Sequence, residues 1–395
     1  MNDLKKNLFS HMNFLCNRAG ERHQGSKGEK LAADYIAEYF KKSGYEVARE
    51  KYNAPGWNYG NYFIKIEETG KGINCFPCYF SPSCDVKGKI TVIKNPNTIK
   101  KEDVSGRICF YPFKAVTGAV SSRNELAERF DEMGADVLIV VGHYQNTLDT
   151  KTVRTPNLKR MAIFDISYTD AWKLMQNKEK RFHIKAETTG FEYSSKNIIA
   201  RVKRDSEYKI VFGAHYDTAP GTVGAGDNAS GTATLLEMAR LLKDVIPKGI
   251  DADFVAFGAE EFAALGSFKY TRMHRNELDS ILWMCNIDNI GSAIGQETIS
   301  VGGSWRLKDW LQKISENINL GFEITKYYPD GDNVNFGNNQ IPTFWFRSNV
   351  NSSYTHIHSP EDNLGKINFG TLEKTCAGAI KITKEIFQLK KRKWK

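Results

Sequence analysis

Histidine, aspartate and glutamate recur in this chain just past short apolar runs. "IVFGA" is followed by His215 and Asp217, and "FVAFGA" by Glu260 and Glu261. "WMCNI" is followed by Asp288, and "FWFRS" leads into a segment with His356 and His358. Asp227 stands in "GAGDNASG", immediately before a helical pattern. Each residue has an ordinary explanation when taken alone. An acid near a helix N-terminus complements the helix dipole, and an aspartate before asparagine starts a turn. Together the positions ask for another account, because ligands of open α/β sheets bind beyond the carboxyl ends of the strands.

These side chains offer nitrogen and oxygen donors and no thiolate. Such a set suits zinc, with cobalt or manganese as substitutes. Two histidines and three carboxylates exceed the needs of one tetrahedral ion. If Asp227 bridges, two ions each obtain one histidine, one terminal carboxylate and a share of Asp227; ions in such sites lie about 3.5–4 Å apart. Asp217 and Glu260 then remain outside the ligand set. Asp217 lies two residues beyond His215 and is placed to hold its second ring nitrogen. Glu260 sits beside a ligand and is placed to act as a general base toward water.

The elements that must position these residues are legible as alternating patterns. Leu4, Leu8, Met12 and Leu15 recur at helical spacing, and "KGEKLAADYIAEYFKKSGYEV" predicts a helix with Leu31, Tyr35, Ile36, Tyr39 and Phe40 on its apolar stripe. An extended stretch begins at Val47. From Ile73 to Ala186 the texture changes to short β-like runs, "GKITVIKN", "GRICFYPF", "ADVLIVVG" and "RMAIFDIS", with one helix, "RNELAERFDEMG", before the third. After Lys196 strands and helices alternate, which predicts a largely parallel sheet with helices on its faces. The expected organisation is a first piece of the main domain at 1–72, a small β-rich insertion at 73–186, and a second piece carrying the site at 187–395.

Composition narrows the class. The chain has 395 residues, 41% hydrophobic and 26% charged, which is ordinary for a globular protein. No apolar run is long enough to cross a bilayer. The net charge of +9 owes five positive charges to the terminal "LKKRKWK", a solvated tail. No basic face with interleaved aromatics on a nucleic-acid module accompanies it, so nucleic acid is not an expected partner. Seven scattered cysteines argue against a disulfide framework. No export signal is readable at the N-terminus, so the expected location is the cytoplasm, with secretion the alternative for a trimmed chain.

The motifs as a set resemble the co-catalytic di-zinc aminopeptidases of the bacterial leucyl aminopeptidase and aminopeptidase Y type, a fold shared with glutamate carboxypeptidase II and glutaminyl cyclases. The matching segments, in order, are "AHYDT", "GAGDNASG", "GAEEFAALGS", "NIDNIG" and "HSPEDN". "DVSGRICFYPF" and "AERFDEMGADVLIVV" resemble a protease-associated (PA) domain. The resemblance implies an α/β zinc exopeptidase fold with an inserted PA-like domain. It implies two zinc ions, one on His215, Asp227 and Asp288 and the other on Asp227, Glu261 and His358. It also implies Glu260 as general base, Asp217 as the residue orienting His215, and a cis bond between Asp227 and Asn228. Asp332, in the family's S-D-H position, has an implied supporting role, although its neighbours here are Gly331 and Asn333. Relatives place a tyrosine before the last histidine for the oxyanion; here that position is Ile357, and Tyr354 is the substitute. His356 is a rival ligand to His358.

The expected activity is zinc-dependent removal of N-terminal residues from peptides with a free N-terminus. The alternatives are a glutaminyl cyclase or carboxypeptidase activity on the same fold, or a non-catalytic peptide-binding module.

Overall fold

Runs of consecutive apolar residues suit strands that are covered on both faces, and in the computed structural model "KIVFGAH", "DADFVAF" and "ILWMCNI" are such strands, buried along nearly their whole length. The structure describes residues 2–112, 120–317, 321–326, 330–349 and 356–388. Tyr354 lies outside the described residues.

The first eight strands in chain order are β1 Glu46–Ile66, β2 Gly72–Ile73, β3 Phe76–Pro77, β4 Cys84–Val92, β5 Ile108–Tyr111, β6 Val137–Val141, β7 Ala162–Ile166 and β8 Arg181–Val202. They are followed by β9 Lys209–His215, β10 Asp251–Phe257, β11 Ile281–Ile287, β12 Gln296–Gly302, β13 Glu323–Lys326 and β14 Thr343–Asn349. The central order is β13-β12-β14-β11-β9-β10-β8. The pairs β10–β9, β11–β9, β11–β14 and β12–β13 are parallel, whereas β12–β14 and β10–β8 are antiparallel. The fold is therefore α/β with a mostly parallel central sheet. The helices Asn2–Asn13, Lys27–Lys42, Gly231–Leu242 and Phe369–Gln388 bury their apolar faces in its largest core.

The segment expected as an insertion has strands of its own. β4, β5, β6 and β7 run parallel in that order, with the helices Val120–Glu132 and Tyr168–Gln176 among them. Its apolar residues gather in clusters separate from the main core. A two-stranded ribbon joins it to the central sheet: β1 and β8 pair antiparallel from Glu46↔Arg201 to Ile66↔Phe182. β8 meets β4 through residues 181–186 and β10 through residues 198–202. The positions 72/73 and 186/187 thus fall inside strands β2 and β8, and Ile64 and Ile66 pack with the insert's apolar cluster.

Two sequence expectations need adjustment. Leu31 is 48% exposed, because the buried face of helix Lys27–Lys42 is formed by Ala32, Ala33, Ile36, Ala37 and Phe40, one position further round. The extended stretch at Val47 runs for 21 residues, through a Pro-Gly pair that reads as a turn. All seven cysteines are free thiols, as their scatter suggested. Among the described residues no helix is long and apolar enough to cross a membrane.

Candidate metal centre

β9 ends at His215, and the loop beyond it carries Asp217. β10 delivers Glu260 and Glu261, β11 delivers Asp288, and the segment after β14 returns with His358. Asp227 sits between them, ahead of helix Gly231–Leu242. Its loop needs Gly224, whose φ of +52° is left-handed and where a Cβ would stand 2.2 Å from the Asp227 carbonyl oxygen. Asp362 holds the same loop by accepting the N–H groups of Gly226 (2.7 Å) and Asp227 (3.0 Å). The Asp227–Asn228 peptide bond is cis.

Two donor groups result. His215, Asp227 and Asp288 form one, and Asp227, Glu261 and His358 the other. Asp227 serves both through different atoms: Oδ1 lies 2.9 Å from His215 Nε2, and Oδ2 lies 3.0 Å from His358 Nε2. His215 Nε2 is also 3.4 Å from Asp288 Oδ1, and His358 Nε2 is 3.3 Å from Glu261 Oε2. His215 Nε2 and Asp288 Oδ1 are nevertheless buried with no hydrogen bond. Close approach without hydrogen-bond geometry means that these atoms face a common point rather than one another, and buried polar atoms left this way are costly unless a cation meets them. The residues therefore fit zinc. His356 joins neither group; its carbonyl accepts from the Ser359 hydroxyl at 2.7 Å.

Asp217 does more than the sequence suggested. His215 Nδ1 lies 3.2 Å from its backbone carbonyl and 3.5 Å from its Oδ1. Its carboxylate accepts the N–H groups of Glu260 (3.0 Å) and Glu261 (3.1 Å), so one residue sets both the histidine ring and the glutamate pair. Asp332 is fully buried; burial, and next the Glu260 charge, push it well above the ordinary carboxylate range.

The adjacent glutamates are driven apart electrostatically. Burial raises Glu260 to about 7. For Glu261 burial is again the largest influence and works in the same direction, but the Lys151 ammonium together with the charge and hydrogen bond of His358 holds the group down at about 2. Lys151 was not foreseen. It enters from the insert, pairs with Glu261 Oε2, and stands 3.3 Å from His358 Nε2. Arg154 donates to the Glu261 carbonyl at 3.0 Å. Lys151 and Arg154 line a cleft of about 610 Å³ together with Asp227, Glu260, Asp288 and His358. Nothing in "LDTKTVRT" distinguishes these cations from solvated loop residues. Asp362 was within reach, since it belongs to the quoted "HSPEDN".

A mostly parallel sheet with paired nitrogen and oxygen donor groups at its carboxyl edge defines an α/β fold with a candidate metal centre. Residues 197–383 match Peptidase family M28. Aminopeptidase YwaD of Bacillus subtilis is 26% identical over 416 residues, covering 99% of this chain and 86% of that protein. The chain spans about half the length of the curated aminopeptidases that follow it. The solved structure of BSAP, a zinc aminopeptidase from Bacillus subtilis, aligns at TM-score 0.78 and 23% identity over 98% of this chain and 97% of that one. A Peptidase M28 precursor from Shewanella amazonensis aligns at 0.84 and 18% over 98% and 96%. These two likenesses establish the shared fold. The resemblance read from the motifs stands: residues 197–383 match that family, and the curated relative that aligns with nearly the whole chain is an aminopeptidase.

Proposed function

We propose that the protein is a zinc-dependent aminopeptidase acting on peptides with a free N-terminus. The observation that carries this reading is the division of Asp227's two oxygens between two donor groups, with Glu260 at their edge and facing the cleft. Zinc, when bound on His215, Asp227 and Asp288 and on Asp227, Glu261 and His358, polarises the scissile carbonyl and lowers the pKa of the attacking water. Glu260 accepts the proton of that water and returns it to the leaving amine. Its raised affinity for protons suits a group that must both take and give one near neutrality. Asp217 keeps His215 and the Glu260 backbone in place. The complete pair of donor groups, His215 included, supports peptide hydrolysis over cyclisation of an N-terminal glutamine.

We also propose that residues 73–186 form a PA-like insert with its own core, entered and left through the β1–β8 ribbon; its separate apolar clusters support this reading.

The test uses purified protein and a panel of aminoacyl anilides. Hydrolysis is expected, with loss on chelation and recovery with zinc, cobalt or manganese. Full activity in a verified metal-free preparation would sink the proposal.

A further inference from the structure

The second donor group already holds a cation. The ammonium of Lys151 pairs with Glu261 Oε2 and stands 3.3 Å from His358 Nε2, against two of that group's three residues. Its side chain is 11% exposed and that of Glu261 1%. The first donor group is different. Asp227 Oδ1 and Asp288 Oδ1 pair with His215 there, and among the described residues neither carboxylate forms an ion pair with a lysine or arginine.

We infer that Lys151 is the resident counter-cation of the second metal position: the first ion binds at His215, Asp227 and Asp288, and the second enters at Asp227, Glu261 and His358 only by displacing the ammonium. This rests on the zinc reading proposed above and concerns how that site is filled.

Two arguments carry it. The first is steric. Zinc takes its nitrogen and oxygen ligands at about 2.0–2.2 Å, so an ion on Glu261 Oε2 and His358 Nε2 cannot share that space with an ammonium bonded to the same atoms. The second is electrostatic. Asp227 and Glu261 are buried, and a buried carboxylate without a positive partner is strongly unfavourable. One ammonium offsets part of that charge, and a divalent ion replaces it with more.

The lysine is also anchored. Its own N–H donates to Asp149 Oδ1 at 3.1 Å, and the preceding residue, Thr150, bonds to the His358 carbonyl through both N–H and hydroxyl. Arg154, three residues on, is tied to the Glu261 carbonyl. The backbone of Lys151 is thus held beside both ligands, and only the side chain has to swing into the cleft for the ion to enter. The insert thereby acts on metal stoichiometry as well as on the shape of the cleft.

The experiment is equilibrium dialysis of the full chain against buffered free zinc, with bound metal counted by mass spectrometry, for the wild type, Lys151→Met and Lys151→Gln. The glutamine variant repeats the comparison with a polar chain end should methionine disturb the loop, and thermal melts check folding. The wild type is expected to hold one zinc over a range of free zinc in which both variants hold two. The second affinity should rise about tenfold or more, with the first unchanged. Equal second affinities in all three chains, or a weaker second ion in the variants, would overturn the inference and leave the zinc reading intact. No zinc on any of the chains would sink the zinc reading itself and this inference with it.

Discussion

Thr150 donates both its backbone N–H and its hydroxyl to one acceptor, the carbonyl oxygen of His358, at 2.8 and 3.0 Å. Tyr144 makes a parallel bond to the Ile357 carbonyl at 2.6 Å. His358 has φ of +55°, a left-handed conformation that costs a non-glycine residue on the order of 1 kcal/mol or more. The loop of the insert therefore holds the last histidine in a backbone conformation it would not adopt unaided.

Thr150→Val should loosen that hold while sparing the rest of the cleft. One hydrogen bond is lost, worth about 1 kcal/mol, and zinc retention at the second position should fall. Thr150→Ser keeps the hydroxyl and should behave as wild type. Melting temperature and zinc retention on the three proteins check this; unchanged retention in the valine variant would show that His358 is held by other means.

Glu260 and Glu261 should separate under mutation. Glu261→Gln removes a donor of the second group and should lower metal content. Glu260→Gln should keep metal and substrate binding but lose about 10²–10⁴ in turnover, the usual worth of a positioned general base. The loss should appear in kcat rather than KM. Metal analysis with steady-state kinetics decides the matter, and near-normal kcat in Glu260→Gln would end the mechanism.

Arg22 is fully buried, and its guanidinium donates to the carbonyls of Leu15, Gly20, Tyr216, Val223 and Gly224. Arg22→Met would leave those carbonyls unanswered and should destabilise the fold by on the order of 3 kcal/mol or more. Arg22→Lys should recover only part of this, because an ammonium lacks the planar fork. Denaturant midpoints give the comparison; a methionine variant as stable as wild type would contradict this role.

Glu29 tests pH dependence away from the metal centre. It is buried, accepting from Ser195 Oγ at 2.6 Å and Gly25 N–H at 2.8 Å, and burial raises it to about 7. The folded state thus binds its proton more tightly than the unfolded chain, where the ordinary value is 4.5. Its contribution to stability is complete below pH 4.5 and is lost as pH rises through about 7. Stability of Glu29→Gln relative to wild type should therefore increase over that window, by about 3 kcal/mol at most. A difference between the two proteins that does not change with pH would refute the assignment.

Much of the site was readable because buried parallel strands are written as unbroken apolar runs, so the residues after β9, β10, β11 and β14 declare themselves as rim residues. Other features lie where no such periodicity exists. The carboxylate of Asp217 bonds to backbone N–H groups 43 and 44 positions away, a pairing that no local pattern encodes. Lys151 becomes informative only when the fold brings the insert's loop against Glu261. The β1–β8 ribbon was hidden by "NAPGWNYGNY", where proline and glycines resemble turn residues but sit within a paired strand. Those residues do interrupt it once, at the register shift between Tyr59 and Tyr62.

That ribbon has a consequence for anyone trimming the protein. Deleting residues 73–186 would remove Phe182, Ile184 and Ala186, the cross-strand partners of Ile66, Ile64 and Tyr62. Residues 62–66, the last stretch of β1, would become a bare strand edge carrying Ile64 and Ile66, both of which are buried in the intact chain. An exposed apolar edge of this kind is a template for pairing with other molecules. A shortened chain would therefore be prone to aggregate, and a graft that kept the ribbon and replaced only its far end would not carry that liability.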